Sequence, residues 1–142
     1  MCFIKKVSLQ ENEYREITEV LNKNLIVFKI INKTITRSPF IIKRVSYYAP
    51  FYFYKYKKKK VNISPLDIAI RKEANDIIIN VTKGFHSFRT LNNLINSSIW
   101  IDFYLWQKPF NIAKFIIPKG SIIVCNDSEI VSNQIIFIEE LK

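Results

Sequence analysis

Phe110-Asn-Ile-Ala-Lys-Phe-Ile-Ile-Pro-Lys-Gly-Ser-Ile-Ile-Val-Cys125 carries the pattern on which the fold turns, because Ile, Val and Phe crowd both sides of Pro118-Lys119-Gly120-Ser121. β-Branched and aromatic residues fit a pleated surface better than a helix. Proline presets φ and glycine supplies a positive φ, so these four residues read as a tight turn, a hairpin or a strand kink. A strand over 110–117 and a strand over 121–125 returning from the turn are expected. Beyond them, Asn126-Asp127 turns the chain again and Ile130 to Glu139 reads as a final strand.

Working outward in the other direction, Ile99 to Trp106 is apolar without a deciding period, and a short helix is expected from Leu91 to Asn96. Before it stands Lys83-Gly84-Phe85-His86-Ser87-Phe88-Arg89, with the only histidine and one of the only two glycines in the chain. An average chain of this length would hold about ten glycines. The two that remain are expected at positions that need them for backbone reasons. Gly84 to Arg89 reads as a strand-to-helix junction that shares a pocket or groove with Lys119 to Ser121.

The rest of the chain completes an α+β expectation. Residues 2–9 read as a strand, and 10–22 as a helix from the spacing of Tyr14, Ile17, Val20 and Leu21. Leu25 to Ile31 reads as a strand, Asn32-Lys33 as a turn, and Thr34 to Arg37 as the start of a partner strand, with Pro39 marking an edge or bulge. Residues 40–56 are extended and aromatic, and Lys57 to Lys60 form a solvated tip. Ser64-Pro65-Leu66-Asp67 resembles a helix start, with Leu66, Ala69, Ile70 and Ala74 on one face. Ile77 to Thr82 is again a strand. The sum is one domain over 1–142, a bent or split, mostly antiparallel sheet with two or three short helices.

Charge is distributed unevenly. Between Val20 and Leu66 there are eleven basic residues and no acidic one, against a net charge of +10 for the whole chain. Such a field attracts phosphates on nucleotides, nucleic acid or anionic lipid. Cys2 and Cys125 lie far apart without metal-ligand spacing, so neither a disulfide framework nor a zinc site is expected. No apolar run is long enough to span a membrane. Lysines at positions 5 and 6 stand where a signal peptide needs apolar residues, and position 2 is not glycine, so a cytoplasmic protein without membrane partners is expected.

Two groups of residues are candidates for binding. Lys83, His86, Ser87, Arg89, Lys119 and Ser121 are the expected lining of a ligand pocket for a nucleotide or other phosphate-bearing small molecule. Lys43, Arg44, Tyr54, Tyr56, Lys57, Lys58, Lys59 and Lys60 form a second, basic and aromatic surface for phosphate or nucleic acid. Exposed tyrosines beside lysines stack bases, whereas the same alternation buried is an aromatic core strand. His86 and Ser87 are adjacent on a strand and point to opposite faces, which disfavours a nucleophile–base pair. No catalytic residue, metal ligand or cofactor is assigned, and an enzymatic role is disfavoured.

Gly84-Phe85-His86-Ser87-Phe88, Ile116-Ile117-Pro118-Lys119-Gly120-Ser121 and Ile130-Val131-Ser132-Asn133-Gln134-Ile135-Ile136 resemble a pattern in small uncharacterised phage and prophage proteins. Ser38-Pro39-Phe40 extends the likeness, which lies mainly in the C-terminal 60 residues. The resemblance implies a phage-type accessory protein in the cytoplasm of a host cell, where sequestering a nucleotide immune signal is the economical role. Nucleic acid and a host protein are the alternative partners, and a homo-oligomer is compatible with the sequence. A fainter resemblance is to the ADP-ribosyltransferase-like fold. It sets His86-Ser87-Phe88 at that family's Ser-Thr-Ser strand and Pro118 to Ser121 at its Pro-x-Gly-Thr turn. Where that family carries its catalytic glutamate, this chain reads Ser132-Asn133-Gln134, which implies binding of a nucleotide rather than its cleavage, with a degenerate enzyme of that type as the alternative.

Overall fold

The computed structural model describes residues 3–8, 18–37, 43–49, 54–73, 76–98, 100–101 and 110–141. Strands dominate: β1 (Phe3–Ser8), β2 (Glu19–Val20), β3 (Leu25–Arg37), β4 (Lys43–Tyr48), β5 (Val61–Ile63), β6 (Asp67–Glu73), β7 (Asp76–Lys83) and β8 (Phe85–Phe88). After a short helix α1 (Leu91–Ile95) come β9 (Phe110–Ile117), β10 (Ile122–Cys125), β11 (Glu129–Ser132) and β12 (Gln134–Leu141). The mostly antiparallel sheet is therefore as expected, but two or three helices are not found. Among the described residues α1 is joined only by a helical turn reaching Trp100 and Ile101.

The strands form a three-stranded sheet, β1-β7-β6, and a nine-stranded sheet, β2-β10-β11-β8-β3-β9-β12-β5, with β4 paired to β3. The expected final strand is broken at Asn133 into β11 and β12. Its first half pairs with β8 and β10, its second with β9 and β5. One bent chain segment thus joins both arms of the sheet, and β11, β8, β3, β9 and β12 share one core. Inside it lie Val27, Ile31, Phe85, Ala113, Phe115, Ile117, Ile130, Ile135 and Phe137, together with the Tyr56 ring. Outside, Val124 and Val131 pack against Ile79 and Val81 of the smaller sheet, while Ile30 and Phe88 pack against Leu94 of α1.

Several expectations are corrected. The segment expected to be helical from Ser64 is strand β6, paired with β7 along its length. Leu66, Ile68 and Ile70 recur with a period of two, and the Ile-rich β7 beside them offers a ladder. The expected turn at Asn32-Lys33 is absent, since β3 runs 13 residues and only changes partner there. Asn32 pairs with Phe110 of β9 and with Tyr48 of β4, and the β-branched Thr34, Ile35 and Thr36 continue the strand. Glu19 and Val20 of the expected first helix form β2 instead, and residues 10–17 lie outside the described residues. So do Pro39, Tyr52 and 102–106.

Neither glycine motif is a hairpin. Lys83 ends β7 in the small sheet and Phe85 begins β8 in the large one, with Gly84 as the crossing residue at φ +133°. A Cβ on Gly84 would stand 2.6 Å from Leu66 Cδ2 and 2.6 Å from Val131 Cγ1. Gly84→Ala combines that overlap with a backbone conformation that favours glycine, so a loss of about 2 kcal/mol in urea unfolding is expected. A variant as stable as wild type would show that the crossing relaxes freely.

Candidate functional site

Among the described residues the two glycine motifs lie along three neighbouring strands. β8, β11 and β10 lie side by side, with Ser132 paired to Phe85 on one flank and to Ile123 on the other. Lys83 and Lys119 to Ser121 therefore fall toward one end of these strands. Arg89 falls at the other, where its Nε donates to the Asn126 carbonyl at 3.1 Å.

The Pro118–Ser121 turn is also fully occupied. Ser121 N donates to Pro118 O at 3.1 Å, and Gly120 N donates to Leu21 O at 2.9 Å. Lys119 N donates to Asn24 Oδ1 at 2.8 Å. Lys119 itself, not Pro118, takes the second turn position, and Gly120 the third at φ +89°. With those amides engaged and Ser121 buried, its hydroxyl held by Pro118 O at 2.6 Å, the turn offers no nest for a phosphate. Ser87 is likewise buried and donates to Ile130 O at 3.2 Å.

His86 and Lys29 make an interior polar cluster. Both imidazole nitrogens of His86 are buried without a hydrogen-bond partner. Burial, reinforced by the Lys29 charge, pushes its pKa down to about 4, so the ring is neutral at pH 7. Lys29 alternates with Val27 and Ile31 on the inward side of β3, and its Nζ donates to the His86 carbonyl. Burial pushes its pKa down to about 7. The ammonium stands 6.0 Å from the centroid of Tyr56, whose hydroxyl has no partner and is itself raised by burial.

The aromatic platform is corrected by the same geometry. Tyr56 is 3 % exposed and packs edge-on against Phe115 at 4.9 Å and Tyr54 at 5.4 Å, so it stacks on core rings rather than on bases. Tyr54 is half-buried against Phe85. Lys43 and Arg44 lie on β4, with their side chains outside the described part.

Lys57 to Lys60 remain the accessible feature, each side chain exposed. The loop is fixed from below by one buried residue, Asn62, which is 1 % exposed. Asn62 Oδ1 accepts from Lys57 N at 2.8 Å and from the Tyr54 hydroxyl at 3.3 Å. Its Nδ2 reaches the carbonyls of Lys57 at 3.2 Å, Lys60 at 3.3 Å and Ile135 at 3.2 Å. The loop takes a tight path, with Lys59 in the left-handed region at φ +56°, which side chains other than glycine adopt rarely. Lys58 is drawn over the Tyr47 ring at 5.1 Å, and among the described residues none of the four lysines has an ion pair.

No protein-family model, curated protein or solved structure matches this chain. The site is therefore argued from geometry alone. Its strongest element is a hydrogen-bonded cationic loop beside the edge strand β5, while among the described residues the Ser87 and Ser121 hydroxyls are bonded to the backbone. Two contributors escaped the pattern reading. Asn62 stands at the inward position of Val61-Asn62-Ile63, and Lys29 interrupts an apolar strand at an inward position. A polar residue at a core-facing strand position is the signal that marks both.

Proposed function

We propose that this chain is a non-enzymatic binding protein for a phosphate-bearing ligand, with the loop Lys57–Lys60 as its principal contact. The observation that carries the reading is the Asn62 clamp, which presents successive unpaired ammonium groups from an ordered turn. An ordered donor set loses less entropy on binding than a floppy lysine tail. Lysines on adjoining residues exceed what one phosphate requires, which favours a ligand with several phosphates, a cyclic oligonucleotide or a nucleic-acid strand. A neutral, unpartnered His86 and a Ser87 hydroxyl committed to the backbone support the non-enzymatic half of the reading. In the phage-type setting that the motif resemblance implies, the economical role is sequestration of a nucleotide signal used in host defence.

Calorimetry with mononucleotides, cyclic oligonucleotides and single-stranded oligonucleotides tests this. Micromolar affinity for the multiply phosphorylated ligands and none for the bare nucleoside is expected. If nothing in the panel binds more tightly than about 1 mM, near −4 kcal/mol, the reading fails.

A further inference from the structure

The lysine loop leads directly into β5, an edge of the large sheet that pairs with β12 on one side only. The pairing phase fixes what the open side offers. Ser64 N donates to Asn133 O at 2.9 Å, and Asn62 lies opposite Ile135 in the same register. Hydrogen-bonded pairs alternate in an antiparallel ladder, so Asn62 and Ser64 turn their main-chain groups toward β12. Val61 and Ile63 then turn theirs away from the sheet. Among the described residues nothing pairs with that side.

The side chains beside this edge are apolar and uncovered. Val61 is 42 % exposed and Ile63 is 69 % exposed, both on the face opposite the buried Asn62. An open edge of this kind is usually blunted by charge or proline placed on it. Here the charge stands at one end, on Lys57 to Lys60, and leaves the two branched residues free to pair.

We infer that β5 is a docking edge for an extended acidic segment of a partner protein, which adds to the sheet as an antiparallel or parallel strand. Main-chain groups of Val61 and Ile63 would hydrogen-bond that strand, and branched apolar residues at alternate positions would cover their side chains. Its acidic residues would lie along Lys57 to Lys60. Charge complementarity selects this occupant over a second copy of the chain, because an antiparallel pair of β5 strands would set each lysine loop beside the Ser64 to Leu66 end of the other copy, which carries no acidic run. A nucleic-acid strand would meet the lysines but would leave the ladder groups and Ile63 unsatisfied. The inference shares the lysine loop with the phosphate reading but rests on the free ladder groups of β5.

The test is fluorescence anisotropy with a labelled peptide in which acidic runs flank alternating valine and threonine on both sides. Its partner probe is the same peptide N-methylated at alternate residues, which keeps the charge and removes the ladder donors. Tighter binding of the unmethylated peptide by at least about tenfold is expected, since several hydrogen bonds are at stake. Ile63→Pro should weaken it comparably, because that N–H points outward and serves no bond in the folded chain. Equal affinity for the two peptides overturns strand addition, whatever the behaviour of the proline variant. Equal peptide affinities together with oligodeoxythymidylate binding would leave the phosphate reading intact. Conversely, peptide discrimination without any oligonucleotide binding would sink the phosphate reading alone.

Discussion

Lys29→Met should stabilise the protein at pH 7 by about 3 kcal/mol and raise Tm by about 10 °C. Lys29 is 7 % exposed on the inward side of β3, among Val27, Ile31 and Phe115, with no acidic partner among the described residues. Burial lowers its pKa from 10.5 to about 7. Between those two values the unfolded chain binds one more proton than the folded chain, so stability rises with pH across that window. The slope is about 1.4 kcal/mol per pH unit at most. Tyr54 and Tyr56 act in the opposite sense above about pH 10, where burial keeps them protonated while the unfolded chain ionises. Wild type is therefore expected to be most stable between about pH 9 and 10. Methionine fills similar volume and removes the ionisation cost, while the His86 carbonyl loses its donor at about 1 kcal/mol. Urea unfolding from pH 7 to 9.5 should show a rising wild type and a nearly flat variant. A variant less stable than wild type at pH 7 would mean that Lys29 is compensated by a group this account lacks.

Asn62→Ala is expected to cost about 3 kcal/mol, because it removes the side-chain hydrogen bonds that tie the Tyr54 to Lys60 segment to itself and to β12. The Lys57 amide, the Tyr54 hydroxyl and the Ile135 carbonyl each lose their Asn62 contact. The left-handed Lys59 then has nothing to offset its conformation, and the loop should open into a range of paths. All four lysines stay in place, so affinity for a multiply phosphorylated ligand should fall through lost order rather than lost charge. The salt dependence of binding should therefore be nearly unchanged while the affinity drops. A stability loss below about 1 kcal/mol would show that the loop holds its shape without the clamp.

Much of the sheet was legible. Phe110–Ile117 has the bounds its apolar run implies, and the passage from β8 to α1 follows the Phe88-Arg89-Thr90-Leu91 boundary, where Thr90 caps the helix by accepting from Asn93 N. β6 was misread because its start carries real capping chemistry at Ser64 and Asp67. Only the neighbouring β7, brought in by tertiary contact, decides for a strand. The split of the last strand was missed although the core positions pass from Ile130 to Ile135 and Phe137, an odd spacing that accompanies the change of partners at Asn133.

The candidate site shows the same limit. The lysine run is plain in the sequence, and so was its separation from acidic residues. Which way each strand faces was not plain. That decided Tyr56 for the core rather than for a surface platform, and it made Asn62 the clamp of the loop. It also made Lys29 an interior cation, while Lys33 forms an ion pair with Glu140 at 3.0 Å. Among the described side chains of the basic third, Lys23, Lys55 and the four loop lysines are exposed, while Lys29 is buried. No described helix is long and apolar enough to cross a membrane.

The most direct test of the central claim is the salt dependence of oligodeoxythymidylate binding by wild type and by a variant with Lys57, Lys58, Lys59 and Lys60 all changed to serine. If the loop is the phosphate contact, the slope of log K against log salt should fall in magnitude by about 3, close to 0.7 for each lysine removed. Affinity at low salt should drop at least about a hundredfold. An unchanged slope and affinity in the folded serine variant would contradict the account.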